Sequence, residues 1–376
     1  MMVLDLLAGI RVLDLSQYVP GPYASQILGD LGAAVVKIEP PDGDPMRCLG
    51  AVESDGTTAH YKLLNAGKTV VRLDLKDPAA QARLAPLIAQ ADILVESFRP
   101  GTLRRLGFDT ERLRALNSSL IHLALSGWGQ DGPYRLRAGH DLTYMAVGGG
   151  LIGSGVVATP IPAFPPVADH AAAIQAALAV VAALLRRFRH PGRGAYLDVS
   201  LMETVLGWQG AALTEAARTT PDQAVGDRGQ TLLTGGAAYY RVYRCADGGF
   251  LALAAIEAKF WQAFCRGMGR LDWIGRHDEP LPQDALAAEI AATFATAPLS
   301  DWDQRFAGVD CCLEPVVETT VLASHPQVAA RGQILRQDGL VHSLFGLRVD
   351  RGQPPHRAPL QESTIEQVAA RWATAP

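Results

Sequence analysis

The sequence predicts an α/β protein, with a Rossmann-like, doubly wound large domain and a smaller α+β domain. Three observations carry that expectation. Apolar strand-like runs alternate with helical stretches through the first half, the pattern of a parallel sheet. A polar break follows Arg218, and beyond it the pattern changes to that of an antiparallel hairpin. The 376 residues, 48% hydrophobic and 19% charged, are too many for one simple core and have no disorder bias.

In chain order, "IRVLDLS" from Ile10 reads as a buried strand. "GPYASQILGDLG" follows at helical spacing, with Gly32 as its stop. "AAVVKIEPP" is a second strand, closed by two prolines that cannot continue a ladder. "TVVRLDLKD" is a third strand, "AAQARLAPLIAQA" a helix and "DILVESF" a fourth strand. "TERLRALNSSL" and "IHLALSGWG" supply another helix and strand. Ligands of such sheets bind at the carboxyl ends of strands, so "SQYVPGPY", "EPPDGD" and "ESFRPG" point toward one rim. The run Ala171–Leu185 reads as a buried core helix: it is short of the roughly 20 residues of a membrane span and contains Gln175. A basic turn at Pro191-Gly192 then leads to a short strand and another long helix. "AAYYRVYRCADGGFLALAAIE" reads as a hairpin around Asp247-Gly248-Gly249, with two helical stretches after it. The expected layout is a large domain over 1–200, a linker helix region over 201–224, a small domain over 225–320, and a return to the large domain over 325–376.

The charge balance excludes some classes. A net charge of −4 without a Lys/Arg-rich motif offers nucleic acid no basic face. Five cysteines, an odd number with no CxxC, read as reduced thiols of a cytoplasmic protein, without a zinc site. The first residues carry acids and no basic n-region, unlike a signal peptide. No G-x-G-x-x-G opens a helix, and there is no P-loop, G-x-S-x-G or H-E-x-x-H. Ser126 sits at a strand end without the context of a nucleophile elbow.

Three ionisable positions stand out against apolar or glycine-rich surroundings. His140 and Asp141 lie in "RAGHDLTYMAVGGG". Asp169 lies in "FPPVADHAAAIQAAL", where it either caps the following helix or presents a carboxylate to a cleft. In the second case the helix N-terminus would favour its anion. Glu257 ends an alternating strand and enters an aromatic helix. It is either a helix-start residue or a group facing the hairpin's partner.

The segments "GIRVLDLSQYVPGPYASQILGDLGAAVVKIEPPDGDPMR", "ADILVESFRPGTLRRLGFD", "LSGWGQDGPYR" and "VADHAAAIQAALAVVAALLRRFRHPGRGAYLDVSLMETV" resemble the class III coenzyme A transferase (CaiB/BaiF) family. The resemblance spans nearly the whole chain and is weakest over about 270–376. It implies the CaiB/BaiF fold and one of two chemistries. CoA transferases of the family use an aspartate, here Asp169, as a nucleophile. α-Methylacyl-CoA racemases use the same position as an acid/base opposite a histidine, and "AGHDLTY" resembles their motif, which places that histidine at His140. The racemase motif around "GGAAYYRVYRCADGGFLALAAIE" implies a supporting role for Glu257. Asp141 either orients the same region or caps the following helix. The resemblance also implies that Lys37, Arg99 and Arg105 serve the CoA phosphates. The backbone at Tyr18–Val19 and the Phe98 ring would then lie near the adenine and pantetheine. Coenzyme A enters as part of the substrate, with no prosthetic group or metal. The implied assembly is an interlocked homodimer, in which Glu257 reaches His140 either within its own chain or across the dimer.

Overall fold

The computed structural model describes residues 4–218 and 228–374. The described chain divides into two compact units. Of the described residues, the first comprises 4–148, 164–208 and 326–374, and the second 149–163, 209–218 and 228–325. Residues 149–163, expected in the large domain, thus belong with the second unit. The expected linker region is divided too: 201–208 lies in the first unit, and 219–224 lies outside the described residues.

The large unit is built on a parallel sheet. Its strands are β1 (Arg11–Asp14), β2 (Ala34–Glu39), β3 (Thr69–Arg72), β4 (Ile93–Glu96) and β5 (Ile121–Ser126). The order across the sheet is β3-β2-β1-β4-β5, with Gln361–Glu362 beside β3 and Ala195–Ser200 beside β5. Val12 pairs with Val35 on one side and Ile93 on the other, so β1 and β4 flank the point where the winding reverses. Both strands are almost wholly buried, as a sheet covered on two faces requires.

The helices follow from local signals. α1 (Pro20–Asp30) starts with proline and ends before Gly32, whose φ is +109°. A Cβ there would come within 2.2 Å of the Leu4 carbonyl oxygen, so the stop admits glycine alone. α2 (Ala59–Asn65), absent from the sequence reading, is capped by the Thr58 hydroxyl. α3 (Pro78–Gln90) and the C-terminal helix Ile365–Thr374 pack Leu84, Leu87, Val368 and Trp372 against Leu13 and Leu94 of the sheet. α4 (Thr102–Arg105) and α5 (Thr110–Leu116) link β4 to β5. α6 (Asp141–Val147) precedes α7 (Val167–Arg189), the Ala-rich helix. α7 is long and apolar enough to cross a membrane by length and composition, but its alanine face, Ala168 through Ala183, is buried in the large unit. The single long helix expected after Ala195–Ser200 is two helices, Leu201–Leu206 and Gly210–Ala216, broken at Gly207–Gln209.

The small unit carries an antiparallel sheet in which Tyr240–Arg244 and Phe250–Ala254 form the expected hairpin. Leu313–Pro315 adds a third strand. Three α-helices follow the hairpin instead of two: Ala258–Met268, Asp284–Phe294 and Leu299–Phe306. Pro298 is the N-cap residue of the third, and Pro282 stands just before Gln283, the N-cap residue of the second, where proline is compatible with a helix start. Trp261, Phe264, Trp273 and Phe294 form its core.

Candidate active site

At the carboxyl ends of β1, β4 and β5 the large unit holds an open cavity of about 420 Å³. Its walls come from Gln17–Tyr18 after β1, Ser97–Pro100 after β4 and Ser126–Trp128 after β5. Arg135 and Arg137–His140, Tyr144 of α6 and Asp169 of α7 complete it. Of the three strand-end segments expected at the rim, those after β1 and β4 line this cavity at the reversal of winding, whereas residues 40–44 after β2 do not.

Backbone contacts fix these loops. The Gln17 N–H donates to Ser97 Oγ at 2.9 Å, tying the β1 loop to the β4 loop. Tyr18 is held at φ +64°, a left-handed conformation rare for a non-glycine residue. Its N–H donates to Asp44 Oδ1 at 3.3 Å. The Phe98 N–H donates to Glu96 Oε2 at 2.7 Å. Trp128 Nε1 donates to the Arg137 carbonyl at 3.0 Å and pins the approach to His140. Trp128 also meets the Tyr144 ring edge-to-face at 4.9 Å. A Cβ on Gly127 would lie 2.3 Å from that ring, so Tyr144 reaches the cavity over a residue without a side chain.

His140 is the N-cap residue of α6. Its backbone is held by Thr143, whose hydroxyl accepts from His140 N at 3.0 Å and donates to His140 O at 2.7 Å. Its ring is exposed and stands edge-to-face to Tyr18 at 6.1 Å. Asp169 is the third residue of α7 and does not cap it; Pro166 is the N-cap residue. Asp141 assists instead, since its Oδ1 accepts the Asp169 N–H at 3.1 Å. Of the two roles expected for Asp141, capping its own helix is thereby replaced by holding the start of α7. His170 turns away, with Nδ1 2.7 Å from the Pro166 carbonyl and its ring against Tyr23.

The electrostatics of Asp169 differ from the sequence expectation. Proximity to a helix N-terminus favours the anion, yet the Asp169 pKa is raised to about 7. Burial is the larger cause and the neighbouring Asp141 carboxylate the second. Burial, followed by the charge of Asp169, also pushes the Tyr144 phenol up to about 12, with Arg99 opposing. The cavity therefore holds a carboxyl group poised near neutrality, a phenolic donor and a separate imidazole. Ser126 adds a buried hydroxyl that has no hydrogen-bond partner among the described residues. Such a set can remove and return protons and can donate to an oxyanion.

The structure does not bring all the expected residues to the cavity. Tyr18, Phe98 and Arg99 line it. The Val19 side chain packs with Met46, Tyr61 and Leu64, while its backbone, the part expected near the ligand, runs between the lining residues Tyr18 and Pro20. Arg105 is exposed outside the lining, with Nη2 donating to Thr102 Oγ1 at 2.7 Å. Lys37 requires a correction. It is fully buried, its Nζ 2.7 Å from the Ser16 carbonyl oxygen and 2.9 Å from Asp44 Oδ2, and so it cannot meet a phosphate. Glu257 is the exposed N-cap residue of Ala258–Met268 in the small unit and makes no side-chain capping bond. Arg135, Arg137, Tyr144 and Trp128 were not singled out from the sequence. Tyr144 carried a usable signal, standing four residues after His140 and hence on the same face of a helix.

Comparison with known proteins places these residues in a broader setting. Residues 7–359 match the model of CoA-transferase family III. The chain is 32% identical to alpha-methylacyl-CoA racemase of Homo sapiens over 335 residues, covering 88% of this chain and 83% of that protein. It is 29% identical to acetyl-CoA:oxalate CoA-transferase of Acetobacter aceti, covering 96% and 94%. Among solved structures, a CAIB/BAIF family protein from Brucella suis superposes with a TM-score of 0.82 at 25% identity, covering 99% of both chains.

Proposed function

The chain belongs to CoA-transferase family III, and from that premise we propose that it is an acyl-CoA racemase or epimerase, inverting the α-carbon of a 2-methylacyl-CoA-type thioester. The observation that carries this reading is Asp169, a carboxyl group with a pKa of about 7 lining the same cavity as His140. A group half protonated at neutral pH serves equally as base and as acid, which reversible proton transfer demands. A nucleophilic carboxylate gains nothing from being half protonated.

In one direction the Asp169 carboxylate takes the α-proton. The C–H electron pair moves into the thioester carbonyl to form an enolate, and the His140 imidazolium returns a proton to the opposite face. In the other direction the roles exchange. Ser126 and Tyr144 are the donors for the enolate oxygen. Arg99 and Arg105 serve the CoA phosphates, and Phe98 packs on the adenine or pantetheine. Glu257 of a second chain supports His140 and fixes its tautomer. The homodimer this requires is supported within the large unit by the outer face of α7, where Ile174, Leu178, Leu185 and Phe188 are exposed.

The rival chemistry is CoA transfer. There Asp169 attacks the thioester carbonyl and expels the CoA thiolate, giving a mixed anhydride; the thiolate then attacks the aspartyl carbonyl to form an enzyme thioester and release the acid. The likeness to the Acetobacter aceti transferase over nearly the whole chain supports it. Incubating one enantiomer of a 2-methylacyl-CoA in deuterium oxide separates the two. The expected result is α-deuterium incorporation with inversion in the absence of any carboxylate acceptor. CoA movement that requires an acceptor, with no α-exchange, would establish transfer instead.

A further inference from the structure

A second cavity, of about 340 Å³, opens at the amino ends of β5 and Ala195–Ser200, the edge of the sheet opposite to the active-site rim. β5 serves both places. Ser126 at its carboxyl end lines the active-site cavity, and His122 near its amino end lines the second one. Four residue steps of strand, about 13 Å, separate them.

The second cavity has the chemistry of an anion site. Arg114, Arg186 and Arg193 all line it, and no acidic residue does. Arg186 gives one N–H to the Gly194 carbonyl at 2.8 Å. The guanidinium groups of Arg114 and Arg193 have no hydrogen-bond or ion-pair partner among the described residues. In a chain of net charge −4, three guanidinium groups around one hollow without a carboxylate are a departure from the average surface.

The second observation is His122, which is only 8% exposed and whose two ring nitrogens both lack a hydrogen-bond partner among the described residues. A buried polar side chain normally finds a partner, so an unpartnered one lining a cavity marks a place for a ligand atom. Glu96 lies behind it, with Oε1 3.8 Å from His122 Nε2, beyond hydrogen-bond reach. Tyr196 meets the His122 ring edge-to-face at 5.0 Å and is 42% exposed, leaving ring surface for a flat body; Leu113 and Leu120 add an apolar wall.

We propose that this cavity binds a diphosphate-bearing small molecule, its phosphates held by Arg114, Arg186 and Arg193, with a ring nitrogen of His122 as a further donor. Guanidinium forks match phosphate oxygens in geometry as well as charge. The hollow is larger than a diphosphate alone, and Tyr196 supplies the surface that a nucleobase would cover. The source is therefore either inorganic pyrophosphate or a nucleoside diphosphate.

The test is calorimetric titration of the full chain with pyrophosphate and, separately, with ADP. Wild type, an Arg114→Ala/Arg193→Ala double variant, Tyr196→Ala and Arg99→Ala are compared. Arg99 belongs to the active-site cavity and controls for phosphate binding there. The expected result is saturable binding that the double variant weakens about tenfold or more, that Arg99→Ala leaves unchanged, and that acyl-CoA turnover by the double variant shows is not a folding defect. ADP binding tighter than pyrophosphate, with the difference lost in Tyr196→Ala, assigns a nucleotide. Equal binding of the two, indifferent to Tyr196, assigns the inorganic anion. Absence of saturable binding by either probe, or binding lost with Arg99→Ala and kept in the double variant, overturns the proposal.

Discussion

Asp169 binds its proton more tightly than an exposed aspartate because it is buried and faces a second carboxylate, Asp141. This has a consequence for stability. The unfolded chain releases that proton near pH 4, whereas the native chain holds it until about pH 7. Native stability therefore falls as pH rises through that window and is fully reduced above it. Asp169→Asn removes the titration, so the variant gains on wild type from about pH 4 upward, reaching roughly 2–4 kcal/mol at pH 8. Urea unfolding at pH 4 and pH 8 checks this, and the same variant is expected to lose turnover by about 10²-fold or more. The candidate residues His140 and Asp169 were legible in the sequence because ionisable groups in apolar or glycine-rich settings are uncommon. Their division of labour was not. The bond from the Asp169 N–H to Asp141 joins residues 28 apart, and no local pattern reports it. Lys37 was misread for a related reason: in an apolar strand a lysine can be a surface cation or half of a buried pair, and only the position of Asp44 decides.

That pair belongs to the element that shapes the site. The turn from β1 into α1 rests on buried charges: Lys37 with Asp44, and Lys68 with Asp14 at 3.1 Å. Burial pushes the Asp14 carboxyl up, but Lys68, Lys37 and the hydroxyls of Ser16 and Ser25 outweigh it and hold the pKa at about 2. Its contribution to stability is thus present above about pH 4 and is lost as pH falls through about 2. Asp44 accepts the Tyr18 N–H, and Tyr18 in turn faces His140, so Lys37 reaches the site through two contacts. Lys37→Met removes the ion-pair partner of the buried Asp44, leaving only the more distant charge of Lys68, and is expected to destabilise the fold by about 3–5 kcal/mol. Denaturant unfolding measures it, and an unchanged midpoint would show that the pair contributes nothing. The strands and most helices of the sheet were readable because proline and glycine punctuate them. α2 and the break at Gly207–Gln209 were not, since each depends on packing that outweighs a weak local pattern.

At the scale of the whole molecule, strand alternation announced a doubly wound sheet but not its order. β4 lies beside β1 because the chain reverses its winding there, a long-range choice that opens the cavity at that point. The sequence also left unread that 149–163 leaves the large unit before α7 begins. Sedimentation is expected to find a dimer whose chains separate only on unfolding, and a stable, active monomer would refute it. The central claim is that two bases act from opposite faces of one enolate, and His140→Ala tests it most directly. Each enantiomer of a 2-methylacyl-CoA is incubated with the variant in deuterium oxide, and both inversion and α-deuterium content are followed. Loss of one general acid–base group removes about 10²–10⁴-fold of rate. The predicted result is loss of inversion by that order, with any residual exchange confined to one enantiomer and proceeding with retention, from the face that Asp169 serves. Inversion by His140→Ala at close to the wild-type rate would contradict the two-base mechanism and leave Asp169 as the nucleophile of a CoA transferase.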